Sequence, residues 1–305
     1  MPSVLFVPFG SKKHASSRLI CYENAKYLKK RGWKVSVDKG DPRKFNVVVF
    51  QKRYGSQDVA MARCCRKTVF QLSEAYYLKP GRKNGVLKMA KTVNAMTVGS
   101  SPIQHWFKHH KIKSTIIPTG LDFAALQKGK KRDILTICWI GSTENEKYLR
   151  ILVKPLNTLW QKYDFELRVI GGRRPGLPFK GKRHFVKWEM GKAEKWVSEC
   201  HIGVAPLARR PYEFAKPPSK PILYMAQGLA VVATDTPPYH DLIENGVNGF
   251  LVYKNDQKKW TRYLEILLTD KEKRNSFVSK GRIDCKKYDA PVIAKRWDAF
   301  LKSLR

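Results

Sequence analysis

Acidic residues are scarce in this sequence relative to basic ones. Its 305 residues include 25 Asp and Glu against 60 Lys and Arg, a formal net charge of +35 at pH 7. A field this positive favours a polyanionic partner, such as nucleic acid, an acidic glycan or an anionic membrane surface. The excess is uneven, because residues 1–133 hold 28 Lys and Arg against 7 Asp and Glu. We therefore expect the first half of the chain to bind the polyanion.

Several signatures of specialised sites are also missing. No apolar run reaches the roughly 20 residues that a transmembrane helix needs, and the N-terminus is typical of a strand rather than a signal peptide. The six cysteines include no Cys-x-x-Cys pair and no zinc-finger spacing, which predicts free thiols and a reducing, cytoplasmic location. The sequence has no Asp-x-Asp metal motif, no G-x-G-x-x-G dinucleotide fingerprint and no P-loop, so none of these three sites is indicated.

Short apolar segments alternate with helical segments along the whole chain. This alternation is typical of an α/β protein with doubly wound parallel sheets, and the length suggests two Rossmann-like domains. We predict a first domain over residues 1–125 and a second over 133–285, joined by a basic linker. The expected strands are 3–9, 33–37, 46–50, 68–72, 95–98, 114–117, 134–140, 165–170, 202–205, 230–233 and 250–252. The expected helices are 18–31, 102–110, 146–162, 222–227, 239–245, 257–268, 271–287 and 291–304.

The most informative stretch is residues 216–252, which predicts a helix, strand, helix and strand with tight caps. Ser219 is the expected N-cap of the first helix, and Gly228 its C-terminal cap. Lys220 lies in the first helical turn, where a cation opposes the helix dipole by about 0.3–1 kcal/mol. This placement is explained if an anion binds there, since helix N-termini bind phosphates. The alternative, left open by the sequence, is a lysine that simply reaches water.

Polar and basic residues follow other predicted strands, at the edge where α/β proteins bind ligands. Gly141 and Ser142 follow strand 134–140 and precede a helix, a second geometry suited to an anion. Two arginine pairs follow the next strands, Arg173 with Arg174 and Arg209 with Arg210. In the first domain, Lys52 and Arg53 follow strand 46–50, and the strand 68–72 leads to Glu74, Tyr76 and a basic loop. Interleaved tyrosines and cations can bind a polyanion through stacking and charge, although such a run is more often a solvated loop.

Residues 219–252 resemble the donor domain of nucleotide-sugar glycosyltransferases with the GT-B fold, in particular the retaining family 4, also called glycosyl transferases group 1. The matching residues are Ser219, Lys220, Tyr224, Met225, Ala226, Gly228, Val231, Val232, Ala233, Thr234, Gly246, Asn248, Gly249, Leu251 and Val252. Leu223 departs from the pattern, because it stands where the family carries a Glu that holds the nucleotide ribose. The resemblance implies two domains facing a cleft, the donor in the second, the acceptor on the first, and a final helix, residues 286–305, that crosses back to the first domain.

The resemblance also implies a set of site residues and a nucleotide-sugar cosubstrate, most often a UDP-sugar, with no metal or other cofactor. The departing diphosphate gains charge, so cations aimed at it would stabilise the transition state. The expected catalytic cations are Lys220, Lys147, Arg209 and Arg210. The expected donor-binding residues are Gly141, Ser142, Ser219, Lys220, Glu213 and Tyr224. The expected acceptor-binding residues are His14, Arg18, Lys52, Arg53, Glu74 and Tyr76.

Three functions are compatible with these features. The first is transfer of a hexose or pentose to a modified base of DNA, such as a hydroxymethylated one. The second is transfer at an anionic membrane to a lipid-linked or surface glycan. The third is a non-catalytic nucleic-acid-binding protein on a GT-B scaffold, which Leu223 suggests. The charge excess of the first half favours the DNA acceptor, because no clear amphipathic membrane helix accompanies it.

Overall fold

Apolar strand segments assemble into two separate parallel sheets of six strands each. The computed structural model describes residues 1–171 and 176–304, and Arg173 and Arg174, for which we expected a role at a strand end, lie outside the described residues. Unit 1 consists of Met1–Asp122, Phe214–Pro217 and Lys287–Arg305, and unit 2 of Phe123–Glu213 and Pro218–Lys286. Each unit has its own apolar core. The predicted α/β class with two doubly wound sheets is confirmed.

The sheet of unit 1 has the order β2-β1-β3-β4-β5-β6, and each neighbouring pair is parallel. Its strands are β1 (Ser3–Val7), β2 (Lys34–Val37), β3 (Val47–Gln51), β4 (Thr68–Leu72), β5 (Ala95–Val98) and β6 (Thr115–Ile116). Every residue of β3 and β4 is buried, as expected of parallel strands covered on both faces. The strand order reverses between β1 and β3, which defines the switch point of this sheet.

The helices of the first part of unit 1 are α1 (Ala15–Ser17), a π-helical segment (Arg18–Tyr22), α2 (Glu23–Lys30), α3 (Ser56–Arg63), α4 (Lys83–Thr92) and α5 (Ser101–His109), with 3-10 turns at Pro42–Lys44 and Tyr76–Leu78. The first helical run therefore begins at Ala15, three residues before the predicted start. Helices α3 and α4 were not predicted. In α4 the pair Asn84-Gly85 is typical of a turn, yet Gly85 is needed because an added Cβ would lie 3.1 Å from the Tyr54 carbonyl oxygen.

The sheet of unit 2 has the order β12-β11-β10-β7-β8-β9, again with parallel neighbours. Its strands are β7 (Thr136–Ile140), β8 (Glu166–Gly171), β9 (Lys182–Lys187), β10 (Ile202–Ala205), β11 (Ala230–Thr234) and β12 (Phe250–Val252). Strand β9 was not predicted, because it is a polar edge strand with no apolar run. The switch point lies between β7 and β10.

The helices between residues 123 and 286 are α6 (Val153–Trp160), α7 (Ala193–Ser198), α8 (Pro211–Phe214), α9 (Ser219–Ala226), α10 (Pro237–His240), α11 (Gln257–Thr269) and α12 (Lys271–Asp284). A 3-10 segment, Thr143–Leu152, precedes α6, and shorter 3-10 turns occupy Phe123–Ala125, Tyr253–Asn255 and Cys285–Tyr288. The predicted helix 146–162 is thus wrong in its first half. Pro155 cannot donate to the carbonyl of Ile151, which instead accepts from Gln257 Nε2 at 3.2 Å.

Two predicted helix boundaries in residues 216–252 also change. Ser219 is not the N-cap but the first helical residue of α9, because the Pro218 carbonyl accepts the first helical bond, from Ile222 N at 2.9 Å. Helix α10 ends at His240 rather than near residue 245. There the Asn248 side chain accepts from Glu244 N at 2.9 Å and donates to the Leu242 carbonyl at 3.0 Å, which replaces further helical bonds.

The last helix, α13 (Ala290–Lys302), packs against α2 of unit 1, as predicted. Its Trp297 contacts Phe6 of β1 edge to face, with ring centroids 5.8 Å apart. Its buried Asp298 accepts hydrogen bonds from Trp33 Nε1 at 2.8 Å and from Arg31 Nε at 2.9 Å. The C-terminal segment is therefore part of the core of unit 1.

Candidate active site

The carboxyl ends of β7 and β10 meet at the switch point of unit 2, where open α/β sheets bind ligands. Tyr224 of α9 ties these two strand ends together, because its hydroxyl accepts from Ile140 N at 3.1 Å and donates to the Val204 carbonyl at 3.2 Å. The side chain is fully buried. We expected Tyr224 to bind the donor, but its position in the core makes it a residue that fixes the strand ends carrying the site.

Lys220 and the glycine turn after β7 lie side by side at this edge. A Cβ atom added to Gly141 would lie 3.3 Å from Cε of Lys220 and 2.7 Å from the Trp139 ring. The ammonium group of Lys220 lies 5.4 Å from the centroid of that ring, within range of a cation–π contact. The two anion-binding geometries expected from the sequence therefore form one site, and glycine at position 141 leaves room for the lysine.

Trp139 was missed by sequence reasoning, because an aromatic residue within an apolar strand is typical of the core. It is indeed fully buried. Its Nε1 atom has no hydrogen-bond partner among the described residues. Its cation–π contact with the Lys220 ammonium depends on the pairing of β7 with its neighbours and on the position of α9.

A second group of predicted residues surrounds the 3-10 segment after Ser142. Ser142 itself accepts from Asn145 Nδ2 at 2.8 Å. The exposed Lys147 ammonium lies 5.4 Å from the Tyr148 ring, and the Tyr148 hydroxyl donates to Glu213 Oε1 at 2.5 Å. Burial and the Glu213 carboxylate together raise the pKa of Tyr148, so this hydroxyl keeps its proton.

Glu213 is the acidic side chain of most interest in unit 2. It is only 5 % exposed, and its Oε2 atom has no hydrogen-bond partner among the described residues. A buried carboxylate oxygen without a partner is costly, because desolvation disfavours its charge. Burial raises the pKa of the neighbouring Tyr148, and the positive charge of Arg210 offsets only part of that increase. Glu213 therefore offers one acceptor atom to a ligand.

The loop after β10 is fixed by side chains from the ends of the two adjacent strands. Leu207 N donates to Thr234 Oγ1 at 2.8 Å, and Asn255 Nδ2 donates to the Leu207 carbonyl at 2.8 Å. Arg209 extends from this loop, and its guanidinium carbon lies 5.3 Å from the centroid of the exposed Tyr253 ring. Arg209 and Arg210 are both exposed at this end of the sheet.

At the corresponding edge of unit 1, Lys52 and Glu74 form an ion pair. Lys52 Nζ lies 2.7 Å from Glu74 Oε2, and the Lys52 side chain is only 3 % exposed. Burial would raise the pKa of Glu74, but the charge and hydrogen bond of Lys52, helped by Lys216 and Tyr76, lower it overall. Lys52 also has a left-handed backbone (φ 55°), a strained conformation that is often found at functional sites.

Aromatic rings extend this edge of unit 1. The Tyr76 ring makes cation–π contacts with the ammonium groups of Lys52 and Lys79, which lie 5.2 Å and 4.8 Å from its centroid. Phe9 is 45 % exposed and lies between Tyr76 and His14, with centroids 6.4 Å and 6.0 Å away. Phe9 was missed, because the predicted strand 3–9 includes it as the end of a core strand, whereas β1 ends at Val7.

Two other predicted acceptor-binding residues, Arg53 and Arg18, also take part in the local structure of unit 1. Arg53 donates from Nε to Asp58 Oδ1 at 2.8 Å, which ties it to α3. Arg18 is half-buried and begins the π-helical segment, a distortion that occurs frequently at functional sites. The preceding Ser17 donates to Gln51 Oε1 at 3.2 Å, and Phe9 N donates to the same oxygen at 2.7 Å. Gln51 therefore joins the loop after β1 to the end of β3.

Solved structures share this architecture over the whole chain. A glycosyltransferase from Rickettsia africae ESF-5 is 14 % identical, with 99 % of this chain and 98 % of that chain covered and a TM-score of 0.80. Anabaena HepE, solved in complex with UDP and glucose, is 14 % identical over 100 % of both chains, with a TM-score of 0.77. Sucrose-phosphate synthase from Thermosynechococcus elongatus is 11 % identical over 100 % and 99 %, with a TM-score of 0.76. A comparison with curated protein sequences gave no match.

The two sheets and these likenesses define the GT-B fold. Residues 134–270 match the sequence family described as Glycosyl transferases group 1, a range that includes Gly141, Glu213 and Lys220. The chain is therefore a glycosyltransferase, and its second unit carries the group 1 sequence pattern. This finding argues against the non-catalytic alternative. Among the described residues, no helix is both long and apolar enough to cross a membrane.

Proposed function

We propose that this glycosyltransferase moves a hexose or pentose, with retention, from a UDP-sugar to a hydroxyl on a modified base of DNA. The observation that carries the donor half is the contact between Lys220 and the Gly141 turn at the switch point of unit 2. A cation beside a glycine turn and a helix N-terminus is suited to a diphosphate. Anabaena HepE, solved in complex with UDP and with UDP-glucose, supports uridine as the nucleoside of the donor.

The chemistry requires stabilisation of the departing diphosphate. As the glycosidic bond to the nucleotide breaks, negative charge accumulates on the phosphate oxygens, and positive groups already held in place lower that barrier. In our proposal Lys220 meets this charge directly, and the exposed Lys147, Arg209 and Arg210 supply the surrounding positive potential. Ser142 and Ser219 lie at the two turns, where they would bind phosphate oxygens. No metal ion or other cofactor has a part in this scheme.

Glu213 is our candidate for the group that binds a hydroxyl of the donor. Leu223 stands where related enzymes carry an acid on the helix of Lys220. Glu213, in contrast, has one buried carboxylate oxygen that finds no hydrogen-bond partner in the part of the chain that the structure describes. A hydroxyl of the ribose or of the transferred sugar could donate to that oxygen. Such a bond would give this buried oxygen the partner that buried polar atoms usually have.

The acceptor half of the proposal relies on unit 1. A flipped or unpaired base would stack on the rings of Tyr76 and Phe9, and cations around them would bind the phosphates. Arg18 and His14 lie at the same edge of the sheet, after β1. The strongly positive charge of residues 1–133 favours such an acceptor. The free state of all six cysteines supports a reducing, cytoplasmic location for the reaction.

A membrane-associated enzyme that acts on a lipid-linked or surface glycan is the second candidate. The observation in its favour is that Phe9 is 45 % and Leu78 44 % exposed, with the basic Lys79 next to Leu78. Exposed apolar side chains beside cations are typical of peripheral membrane contacts. These side chains would enter the headgroup region of an anionic leaflet, and no spanning segment is required.

The test is a screen of radiolabelled nucleotide sugars against two acceptors. The first acceptor is duplex DNA containing hydroxymethylated bases, with unmodified DNA of the same sequence as its control. The second is a lipid-linked glycan in anionic vesicles, with neutral vesicles as its control. Transfer from a UDP-sugar to the modified DNA alone supports the proposal. Transfer only to the lipid-linked acceptor, stimulated by anionic vesicles, would replace it with the second candidate.

A further inference from the structure

A pocket of about 770 Å³ lies in unit 1, far from the residues discussed above. Its walls come from the starts of β5 and β6, the end of α5 and Phe300 of α13. Parallel strands begin at this edge, whereas Lys52 and Glu74 follow strand ends. Strands rise about 3.3 Å per residue, so the length of β5 alone separates the two edges by roughly 13 Å. The pocket is therefore distinct from the candidate acceptor residues.

The charge of the pocket is entirely positive. Lys108, Lys111 and Lys113 line it, and none of its lining residues is Asp or Glu. Lys108 lies in the last turn of α5, where a cation is favoured by the helix dipole in any case. Lys111 is the left-handed residue (φ 58°) of the cap that ends α5, a position that usually takes Gly or Asn, and its N–H donates to the Lys108 carbonyl at 3.0 Å. The conformation costs about 1–2 kcal/mol for an ordinary residue. The cap therefore fixes the backbone of Lys111 at the mouth of the pocket, next to Lys108 and Lys113.

The body of the pocket combines apolar faces with an unsatisfied polar group. Met96, Ile112 and Phe300 supply the apolar faces. The Ser114 hydroxyl is buried and has no hydrogen-bond partner among the described residues, while the Ser114 carbonyl accepts from Gln104 Nε2 at 2.8 Å. Leaving a buried hydroxyl unpaired costs about 1–3 kcal/mol. An acyl chain would leave the Ser114 hydroxyl unpaired. A flat heteroaromatic ring can contact the apolar faces and also form a hydrogen bond with Ser114.

We propose that this pocket binds a nucleoside phosphate. The three lysines bind the phosphate, Met96 and Phe300 contact the base, and Ser114 bonds to a polar atom of its edge. A thioether beside an aromatic ring is a favourable contact, and the volume is typical of sites for ligands of this size. The site lies in unit 1, so the inference does not depend on the donor site proposed in unit 2.

The test is isothermal titration calorimetry, in which the full chain is titrated with AMP. The protein carries Lys220→Ala, so that binding at the proposed donor site is weakened. We expect one AMP site, with adenosine and ribose 5-phosphate each binding at least about tenfold more weakly, because each lacks half of the contacts. The Lys111→Ala/Lys113→Ala variant should lose about tenfold or more in AMP affinity. Ser114→Ala should narrow the preference for AMP over ribose 5-phosphate.

A matched control removes the same charge elsewhere. Lys258→Ala/Lys259→Ala changes two exposed lysines of α11 in unit 2 and should leave AMP affinity unchanged. The proposal is overturned if the pocket variant and this control bind AMP equally, if ribose 5-phosphate binds as tightly as AMP, or if phosphatidylglycerol vesicles displace AMP. Should the pocket variant unfold, photolabelling of the otherwise native chain with 8-azido-AMP decides. Label within residues 94–115 supports the site, and label confined to other peptides overturns it.

Discussion

Lys220 extends from the first turn of α9 so that its Cε lies 3.3 Å from the point that a Cβ on Gly141 would occupy. The two residues are 79 positions apart in sequence, yet they come together at the carboxyl ends of β7 and β10. The parallel order of the sheet brings them there, because a glycine turn after one strand and a helix start after its neighbour share one edge. A larger residue at position 141 would clash with the buried Trp139 ring, only 2.7 Å from that point, and would crowd the lysine as well.

Replacing Lys220 with Ala should lower turnover by about 10²-fold, the usual effect of losing one electrostatic donor to the developing charge. Steady-state kinetics with the UDP-sugar found in the screen would measure this. Lys271→Ala is a matched control, because Lys271 is exposed in the first turn of α12 and should be silent. Unchanged turnover together with unchanged UDP affinity in Lys220→Ala would remove this lysine from the site.

The hydroxyl of Tyr224 is expected to stabilise the fold rather than to bind the donor. Tyr224→Phe leaves the amide of Ile140 and the carbonyl of Val204 without this partner in a buried place, which should cost about 1–3 kcal/mol. Urea denaturation measures the loss as a lower midpoint. Tyr253→Phe should change stability little, because Tyr253 is 52 % exposed. Equal stability of the two variants would contradict the assigned role of Tyr224.

Much of the fold was predictable from the sequence, because buried parallel strands are continuous apolar runs that need no tertiary information. The polar edge strand β9 and the glycine-containing helix α4 were not, since tertiary packing overrides their local signals. For the site, the sequence alone could place Gly141 and Lys220 at the same edge of the sheet, because each follows a predicted parallel strand. The bond between Tyr148 and Glu213 could not, because the two residues lie 65 positions apart and neither belongs to a recognisable motif.

The Lys52–Glu74 pair makes a prediction about pH. The folded-state pKa of Glu74 is lowered, so its contribution to stability is present above its unfolded pKa, about 4.3, and is lost as the pH falls through the folded value. The free energy of unfolding of the native chain should therefore exceed that of Glu74→Gln near neutral pH, and the difference should shrink below about pH 4.3. Urea titrations at a series of pH values measure it.

The matched variant for that series is Glu244→Gln, because Glu244 is an exposed carboxylate of unit 2, away from Lys52 and Glu74. Its difference from the native chain should stay small at every pH. A Glu74→Gln difference that does not vary with pH would mean that the charge of Lys52 does not act on this carboxylate.

Sugar transfer should survive EDTA, because the sequence has no Asp-x-Asp motif and the proposed stabilisation of the diphosphate comes from lysine and arginine side chains. The assay compares initial rates before and after chelation, with added Mg²⁺ or Mn²⁺ as the reference. Loss of activity on chelation that either ion restores would show that a metal carries part of this charge.

The last prediction concerns DNA. Lys12 and Lys13 are exposed beside Phe9 and His14, whereas Lys52 is buried and paired, so the first two are the better phosphate contacts. Affinity for duplex DNA should fall with salt, with a log–log slope of about −0.9 per phosphate neutralised. The Lys12→Ala/Lys13→Ala variant should bind more weakly and reduce the size of that slope by about 1.8. Fluorescence anisotropy of a labelled duplex, titrated at several salt concentrations, measures both.

The Lys258→Ala/Lys259→Ala variant removes the same charge from unit 2, so it separates contact from net charge. If both double variants change the slope equally, DNA responds to the overall field of the protein and not to the loop after β1. If the native chain shows a slope near zero while it binds anionic vesicles tightly, the membrane candidate is favoured instead. A normal slope for the native chain, reduced only by loss of Lys12 and Lys13, would place the acceptor backbone beside Phe9 and Tyr76.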